Sequence, residues 1–353
     1  MNNRILIIQP SRIGDVIFSL PALVNLRKLY PKAHIAWLID DRCKDLLNDN
    51  PYLDEVIVFP FKRLNLFTGI IQILKLRKKL RSMNFDLSID LHGLFKSAVI
   101  VWLANAKQKI GSSNSYGMKE LSWLFSKEIK SHLAQTLHTI DRHLEVVKYL
   151  AQNMDPKILP YLKKEFPLSC KPVEEEYISA LLKSKNIKSN YIILFPGGGW
   201  RSRRWFPERF AEIADRLIIQ YDVDIIFIGG KPGGSSEHGI TKQIISSMKE
   251  KAHDLSGQIT IMQLIALIKK ANMFIGNEAG PMHIACALET PVIAIIGPTN
   301  PFRTGPFGNK FILIRKEVNC GPCRNRNCAN LKCMKPITVD DVLNGVSKLK
   351  FNK

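Results

Sequence analysis

Short apolar runs recur along this chain, each closed by a polar or glycine-bearing stretch and followed by a helix-length segment. In the first half the runs are RILIIQ at 4–9, HIAWLID at 34–40, EVIVF at 55–59 and DLSIDL at 86–91. After residue 190 they restart as YIILF at 191–195, DIIFIGG at 224–230, MFIG at 273–276 and PVIAIIG at 291–297. Runs so short and so uniformly apolar fit strands buried on both faces, and their alternation with helices predicts α/β sheets of parallel strands. Helices are expected over about Asp15–Tyr30, over 64–82, from near Lys96, and over about His138–Gln152, Pro207–Tyr221, 237–250, 261–271 and 281–288. Pro21 should kink or restart the first of them, since proline lacks the amide that a helix interior uses. A polar helix is expected around Cys43, and residues 107–137 show little regularity.

A length of 353 residues is too great for one ordinary core. Two sets of strands predict two Rossmann-like domains with parallel sheets, facing each other across an interdomain cleft. The expected boundaries are 1–165 for the N-terminal domain and 166–188 for a linker. The C-terminal domain should occupy 189–335, followed by a helix or tail over 336–353.

No run of about 20 uncharged apolar residues is present, which argues against a transmembrane helix. The opening MNNRILIIQPSRIGD lacks the long apolar stretch of a signal peptide, so the expectation is a cytoplasmic protein. The net charge of +20 favours an anionic partner: nucleic acid, anionic lipid or a phosphorylated substrate. A lysine-rich proteome is the plainer source of the same charge. The sequence shows neither a surface pattern of interleaved aromatic and basic residues nor a recognisable nucleic-acid-binding motif, so a nucleic-acid partner is not expected.

In a parallel sheet each strand's carboxyl end feeds a helix N-terminus, where unpaired amides and a positive dipole collect. Four loops are equipped to use this: the opening PSRIGD, Gly197-Gly198-Gly199 with Arg201, Arg203 and Arg204, the run Gly229–Gly234 with Glu237 beyond it, and Gly297-Pro298-Thr299-Asn300 with Arg303. Glycines admit an anion close to the backbone, and guanidinium forks match phosphate oxygens. Neither the G-x-x-x-x-G-K-[ST] pattern nor an opening G-x-G-x-x-G occurs, so a diphosphate-bearing nucleotide bound outside those two classes is inferred. In IGNEAGPMHIACALETPVIAIIGPTN (275–300), Glu278 can accept hydrogen bonds from a ribose or sugar hydroxyl. Gly280 lets the chain pass close to a ligand, and Pro281 suits a first helical turn. His283 either points at the anion site or packs into the fold. Asp15 reads equally as an N-cap of the first helix or as a carboxylate placed to act as a base.

The stretches ILIIQPSRIGDVIFSLPALVNLRKLYPKAHIAWLID, FDLSIDLHGLFKSA, FPGGGWRSRRWFPERFAEIADRL and IGNEAGPMHIACALETPVIAIIGPTNP resemble motifs of the ADP-heptose:lipopolysaccharide heptosyltransferases, glycosyltransferase family 9. The resemblance runs to about residue 345. It implies a GT-B fold, with the nucleotide-sugar mainly on the second domain and the acceptor on the first. It also implies an inverting, metal-independent transfer of heptose from ADP-heptose to the inner core of a lipopolysaccharide precursor. An alternative within the family is another nucleotide-sugar or acceptor in cell-surface glycan synthesis. The resemblance makes Asp15 the general base and puts Arg203 where the family has a lysine on the diphosphate. Gly198 and Gly199 fall where some members have hydroxyl residues touching phosphate, so backbone amides would replace those contacts. Glu278 and Ala279 fall where an Asp–Ser/Thr pair is usual, with Gly280 and His283 completing the motif. Glu237 resembles the acid near the ribose. Lys96 and Arg12 are expected at the acceptor's acidic groups. No cofactor is required on this reading. The partners are the donor and a phosphorylated lipopolysaccharide precursor at the membrane surface, which suggests a peripheral position at the cytoplasmic face of the inner membrane.

Two features stand apart. Cys320, Cys323, Cys328 and Cys333 carry part of the spacing of a structural zinc site, with reduced thiols or a disulfide as the other reading. The segment 64–82 combines apolar residues at helical spacing with Lys75, Arg77, Lys78, Lys79 and Arg81. It is either a helix packed on the sheet with a solvated basic end or a docking element for an anionic membrane or lipid acceptor.

Overall fold

The structure is a computed structural model that describes residues 3–61, 66–112, 127–129, 137–154, 156–230 and 239–349. It divides into two compact units, 1–167 and 168–353.

The first unit is built on a parallel sheet. Its described strands are β1 (Arg4–Ile8), β2 (His34–Asp40), β3 (Glu55–Phe59), β4 (Leu87–Asp90), β5 (Gln108–Ser112) and β6 (Lys127–Ile129), in the order β3-β2-β1-β4-β5-β6. The order reverses between β1 and β4. The central strands are buried throughout, which is why they read as unbroken apolar runs. Helix α1 (Ile13–Leu29) is buried along most of its length and packs on α4 (Thr139–Met154). It runs through Pro21 without restarting. Asn25 Nδ2 donates to the Pro21 carbonyl at 2.7 Å and to Lys163 O at 2.7 Å, so its buried amide nitrogen is satisfied within the core. Helices α2 (Leu66–Ser82) and α3 (Phe95–Ala104) pack beside one another. The segment near Cys43, expected as a helix, is a single 3-10 turn over Lys44–Leu47. Only Leu46 and Leu47 of that turn are buried, so no helical stripe is available to extend it.

The second unit repeats the plan. Its described strands are β7 (Tyr191–Phe195), β8 (Asp224–Phe227), β9 (His253–Asp254), β10 (Met273–Asn277), β11 (Val292–Ile295) and β12 (Phe311–Ile314), in the order β12-β11-β10-β7-β8-β9. The reversal here lies between β7 and β10. Helix α6 (Pro207–Tyr221) turns Phe210, Ala211, Ile213, Ala214 and Leu217 to the core and starts with proline, whose fixed φ suits a first turn. Helices α7 (Ile240–Ser247) and α8 (Ile261–Lys270) follow, the latter opened by Thr260, whose hydroxyl accepts from Gln263 N at 3.2 Å. Helices α9 (Gly280–Ala287), α10 (Pro301–Thr304) and α11 (Val339–Lys348) complete the unit. The stretch read as a linker, 166–188, holds α5 (Pro172–Ser184), which buries Ile178 and Leu182 and packs on α8.

Candidate active site

In the first unit, the loops leaving β1 and β4 diverge at the strand-order reversal, the place where parallel sheets bind ligands. The β1 loop enters α1 through Arg12, which is exposed and serves as N-cap without a side-chain cap bond. Asp15 is therefore the third residue of the helix. Its capping reading is set aside, because the helix starts two residues before it and the carboxylate faces Ser11 instead. Ser11 Oγ donates to Asp15 Oδ2 at 2.6 Å. A carboxylate in the first turn also meets the positive end of the helix dipole. Behind it, Ser19 Oγ donates to the Asp15 carbonyl at 2.9 Å and lies 3.0 Å from Nδ1 of the buried His143. Desolvation presses the His143 pKa down to about 3, so this ring is neutral at pH 7.

Lys96, the second residue of α3, reaches back to the same loop. Its Nζ donates to Pro10 O at 3.1 Å and stands 5.6 Å from the centroid of Phe61. Desolvation lowers its pKa, opposed by the carboxylates of Asp40 and Asp15 and reinforced by Arg42 and Arg12. Asp15, Arg12 and Lys96 are thus gathered at one place.

The β4 exit turns sharply at Gly93, whose φ of +66° is the left-handed region glycine tolerates. Asp90 fixes this turn. Its Oδ1 accepts from His92 N at 2.9 Å and Gly93 N at 3.0 Å, and its Oδ2 from Ser97 Oγ at 2.8 Å. Burial nevertheless pushes its pKa up to about 6, from 3.8, against those bonds. A carboxyl whose native pKa is raised favours folding below the unfolded value, and that contribution is lost as pH climbs from about 3.8 to about 6. Asp90→Asn keeps an acceptor for both amides and cannot ionise. Its stability relative to the wild type should rise across this window and level off above it, as read from urea titrations at several pH values. A difference that stays flat with pH would return Asp90 to an ordinary carboxyl.

In the second unit, β7 and β10 approach so closely that a Cβ at Gly276 would lie 2.7 Å from Phe195 O. Asn277, fully buried at the end of β10, builds the glycine loop. Its Nδ2 donates to Pro196 O at 2.8 Å and Gly197 O at 3.0 Å, and its Oδ1 accepts from Trp205 N at 3.1 Å. Arg204 Nε donates to Gly198 O at 2.9 Å. A Cβ at Gly198 would meet nothing nearer than 3.5 Å, so packing does not demand glycine there. Gly297 differs, because a Cβ would fall 2.8 Å from Met334 Sδ. Gly199 is exposed at the loop's crest.

Arg203 stacks on Trp200, its guanidinium carbon 4.0 Å from the ring centroid, and holds Nε 3.8 Å from Glu278 Oε2. Arg326 lies 5.1 Å from the same ring. Glu278 is 2% exposed. It accepts from Thr299 Oγ1 and, at 2.7 Å, from Thr304 Oγ1, so a ligand hydroxyl would compete with two threonines for its oxygens. Glu278 thereby joins the loops after β7, β10 and β11 to α10. Ala279 is the N-cap of α9, Gly280 and Pro281 open that helix, and the buried His283 ring stacks on Phe307 at 6.4 Å. The structure brings Gly198, Arg203, Glu278 and Ala279 to neighbouring loops; Glu237 lies outside the described residues. Asn277, Thr299, Thr304 and Trp200 were not assigned roles from sequence. An amide closing an apolar strand is the available signal for Asn277, and Thr299 belongs to the glycine-bearing loop after β11 that the sequence marks, whereas Thr304 has none.

The zinc reading of the cysteines gains no support from the structure. Among the described residues, no group of three or more His, Cys, Asp or Glu side chains could hold a metal ion. All four thiols are free, and they range from exposed Cys320 to buried Cys333, which packs in the core against Gly297. Burial, and after it the neighbouring thiols, raise the Cys333 pKa. The segment does not lie apart from the site loops: Cys323 N donates to Pro298 O at 2.6 Å and Ser202 N to Arg326 O at 3.2 Å.

The family model for glycosyltransferase family 9 (heptosyltransferase) matches residues 73–334. Lipopolysaccharide heptosyltransferase 1 of Campylobacter coli is 26% identical over 361 residues, with 98% of each chain covered. Among solved structures, a family 9 glycosyl transferase from Veillonella parvula superposes with a TM-score of 0.81 at 22% identity, covering 98% of this chain and 97% of that one. The E. coli ADP-heptose lps heptosyltransferase II superposes with a TM-score of 0.77 at 24% identity and 98% coverage of both chains. Two parallel α/β sheets with reversed strand order, a family match across most of the sequence and these superpositions agree. The chain belongs to glycosyltransferase family 9, the heptosyltransferases, and is a glycosyltransferase of GT-B type.

Proposed function

We propose that this enzyme transfers a heptose from ADP-heptose to the inner core of a lipopolysaccharide precursor, with inversion and without a catalytic metal. The observation that carries the reading is the Asp15 carboxylate at the strand-order reversal of the first unit, oriented by Ser11 and flanked by Lys96. Asp15 takes the proton of the acceptor hydroxyl as that oxygen attacks the anomeric carbon from the face opposite the diphosphate. The C–O bond to the diphosphate breaks with its electron pair, and ADP leaves as an anion. Arg203, the amides around Gly198 and Gly199, and the N-terminus of α9 supply the positive potential that stabilises this leaving group. Lys96 and Arg12 offer charge to acidic groups of the acceptor. The relatives' names support the donor and acceptor: they are lipopolysaccharide heptosyltransferases, and one is an ADP-heptose enzyme.

Incubation with ADP-heptose and truncated core acceptors should give a product heavier by one heptose, with ADP released in equal amount. Activity only with other nucleotide-sugars would favour the alternative, a family 9 enzyme of another cell-surface glycan. Arg203→Ala is expected to weaken ADP binding about 10- to 100-fold, the range of a lost charge-assisted hydrogen bond. Calorimetric titration with ADP checks this, and an unchanged affinity would remove Arg203 from the diphosphate site.

A further inference from the structure

We infer that the outer faces of α2 and α3 form a docking surface for a bilayer carrying anionic headgroups. Helix α2 packs on the first unit through Leu76 and Leu80, which are 6% and 0% exposed. That single stripe satisfies the core. Yet Ile70, Ile71 and Leu74 are 64%, 56% and 54% exposed, an arrangement a solvated helix has no use for. On the neighbouring α3, Phe95 and Trp102, two turns apart and so on one face, are each 49% exposed. Arg77 ties the two helices together, its guanidinium carbon 5.7 Å from the Trp102 centroid.

The charge identifies the occupant. Residues 66–82 contain no acid. Lys79 is paired with Glu55 at 2.9 Å, whereas Lys75, Lys78 and Arg81 are exposed and have no ion pair among the described residues. Lys75 and Lys78 follow Ile71 and Leu74 at helical spacing, so cations border the apolar side chains on the same surface. A second copy seated on this face through a two-fold contact would set these cations against their own kind. A bilayer surface with anionic lipid accepts both elements. Isoleucine and leucine enter the headgroup–acyl boundary, tryptophan sits at its level, and lysine stems lie along it with their charges among the phosphates. The inference goes beyond the sugar transferred, because a membrane-seated acceptor of any composition would benefit.

Vesicle co-sedimentation tests it with the full chain. Phosphatidylcholine vesicles are compared with vesicles in which about one lipid in three is phosphatidylglycerol. Binding is expected to be about 10-fold stronger to the anionic vesicles and to weaken as salt is added. Ile71→Ser with Leu74→Ser should lower binding about 10-fold, and Lys75→Glu with Lys78→Glu should remove the preference for anionic lipid. All four positions are exposed, so the fold is undisturbed, and ADP binding by each variant confirms it. Transfer to a water-soluble acceptor should stay at the wild-type rate, which separates failure here from failure of the proposed reaction. Wild-type binding that ignores phosphatidylglycerol, or serine variants that bind as the wild type does, would overturn the inference. So would a dimer in solution that the serine variants abolish, since the face would then belong to a second copy.

Discussion

Asp15→Asn is expected to lower turnover by about 10²- to 10⁴-fold, the range contributed by a positioned general base. Asparagine keeps the size of the side chain and an oxygen to accept from Ser11 Oγ, so the 2.6 Å contact and the entry into α1 are retained. The N-cap of that helix is Arg12, and no cap bond is lost. What disappears is the capacity to take a proton. Affinity for ADP should be unchanged, because the groups assigned to the diphosphate belong to the second unit. The separation of kcat from ADP affinity is the diagnostic feature. Turnover near the wild-type level would leave Asp15 as a first-turn acid that merely complements the helix dipole.

Asn277→Asp should destabilise the protein by about 3 kcal/mol near neutral pH, the scale of a buried polar group deprived of its partners. The amide nitrogen donates to two carbonyls, Pro196 O and Gly197 O, at 2.8 and 3.0 Å. An ionised aspartate would aim an oxygen at both. The bond from Trp205 N survives, so the effect isolates the donor side of the amide. A carboxyl forced into this fully buried place would resist ionisation, and in its protonated form it could donate to one of the carbonyls. The loss should therefore be smaller in mild acid than above neutrality. Urea titrations at the two extremes provide the measurement, with ADP affinity as a companion, since the glycine loop is what Asn277 holds. A loss independent of pH would mean that the loop reorganises around the substitution.

Most of the sheet architecture was legible because central parallel strands, buried on both faces, must be apolar throughout. β5 and β6 lack such a run because they lie toward or at one sheet edge, where Gln108, Lys109 and Lys127 dilute the pattern, whereas β12 is an edge strand whose apolar run, FILI, spans only four residues. Helix α5 was read as linker because its charged first turn, with Glu174 and Glu175, masks a core contribution of only two buried residues, Ile178 and Leu182. At the candidate site, motif resemblance singled out loops that the structure gathers at the strand ends, and sequence could not reveal how they are fastened. The threonines on Glu278 lie 21 and 26 residues away along the chain, in loops with no periodicity to place them. The cysteines are free thiols, one of the readings their spacing left open, since spacing along a chain constrains ligand geometry only when the backbone between the residues turns suitably.

The cysteine-bearing segment works as a brace. It props the crest of the glycine loop through Arg326, the β11 exit through Cys323, and the floor beneath Gly297 through Cys333 and Met334. None of these residues is assigned a part in bond making, yet together they hold the loops proposed to carry the nucleotide. Under the proposed function, substitutions in this stretch would alter ADP binding while every motif residue stays the same.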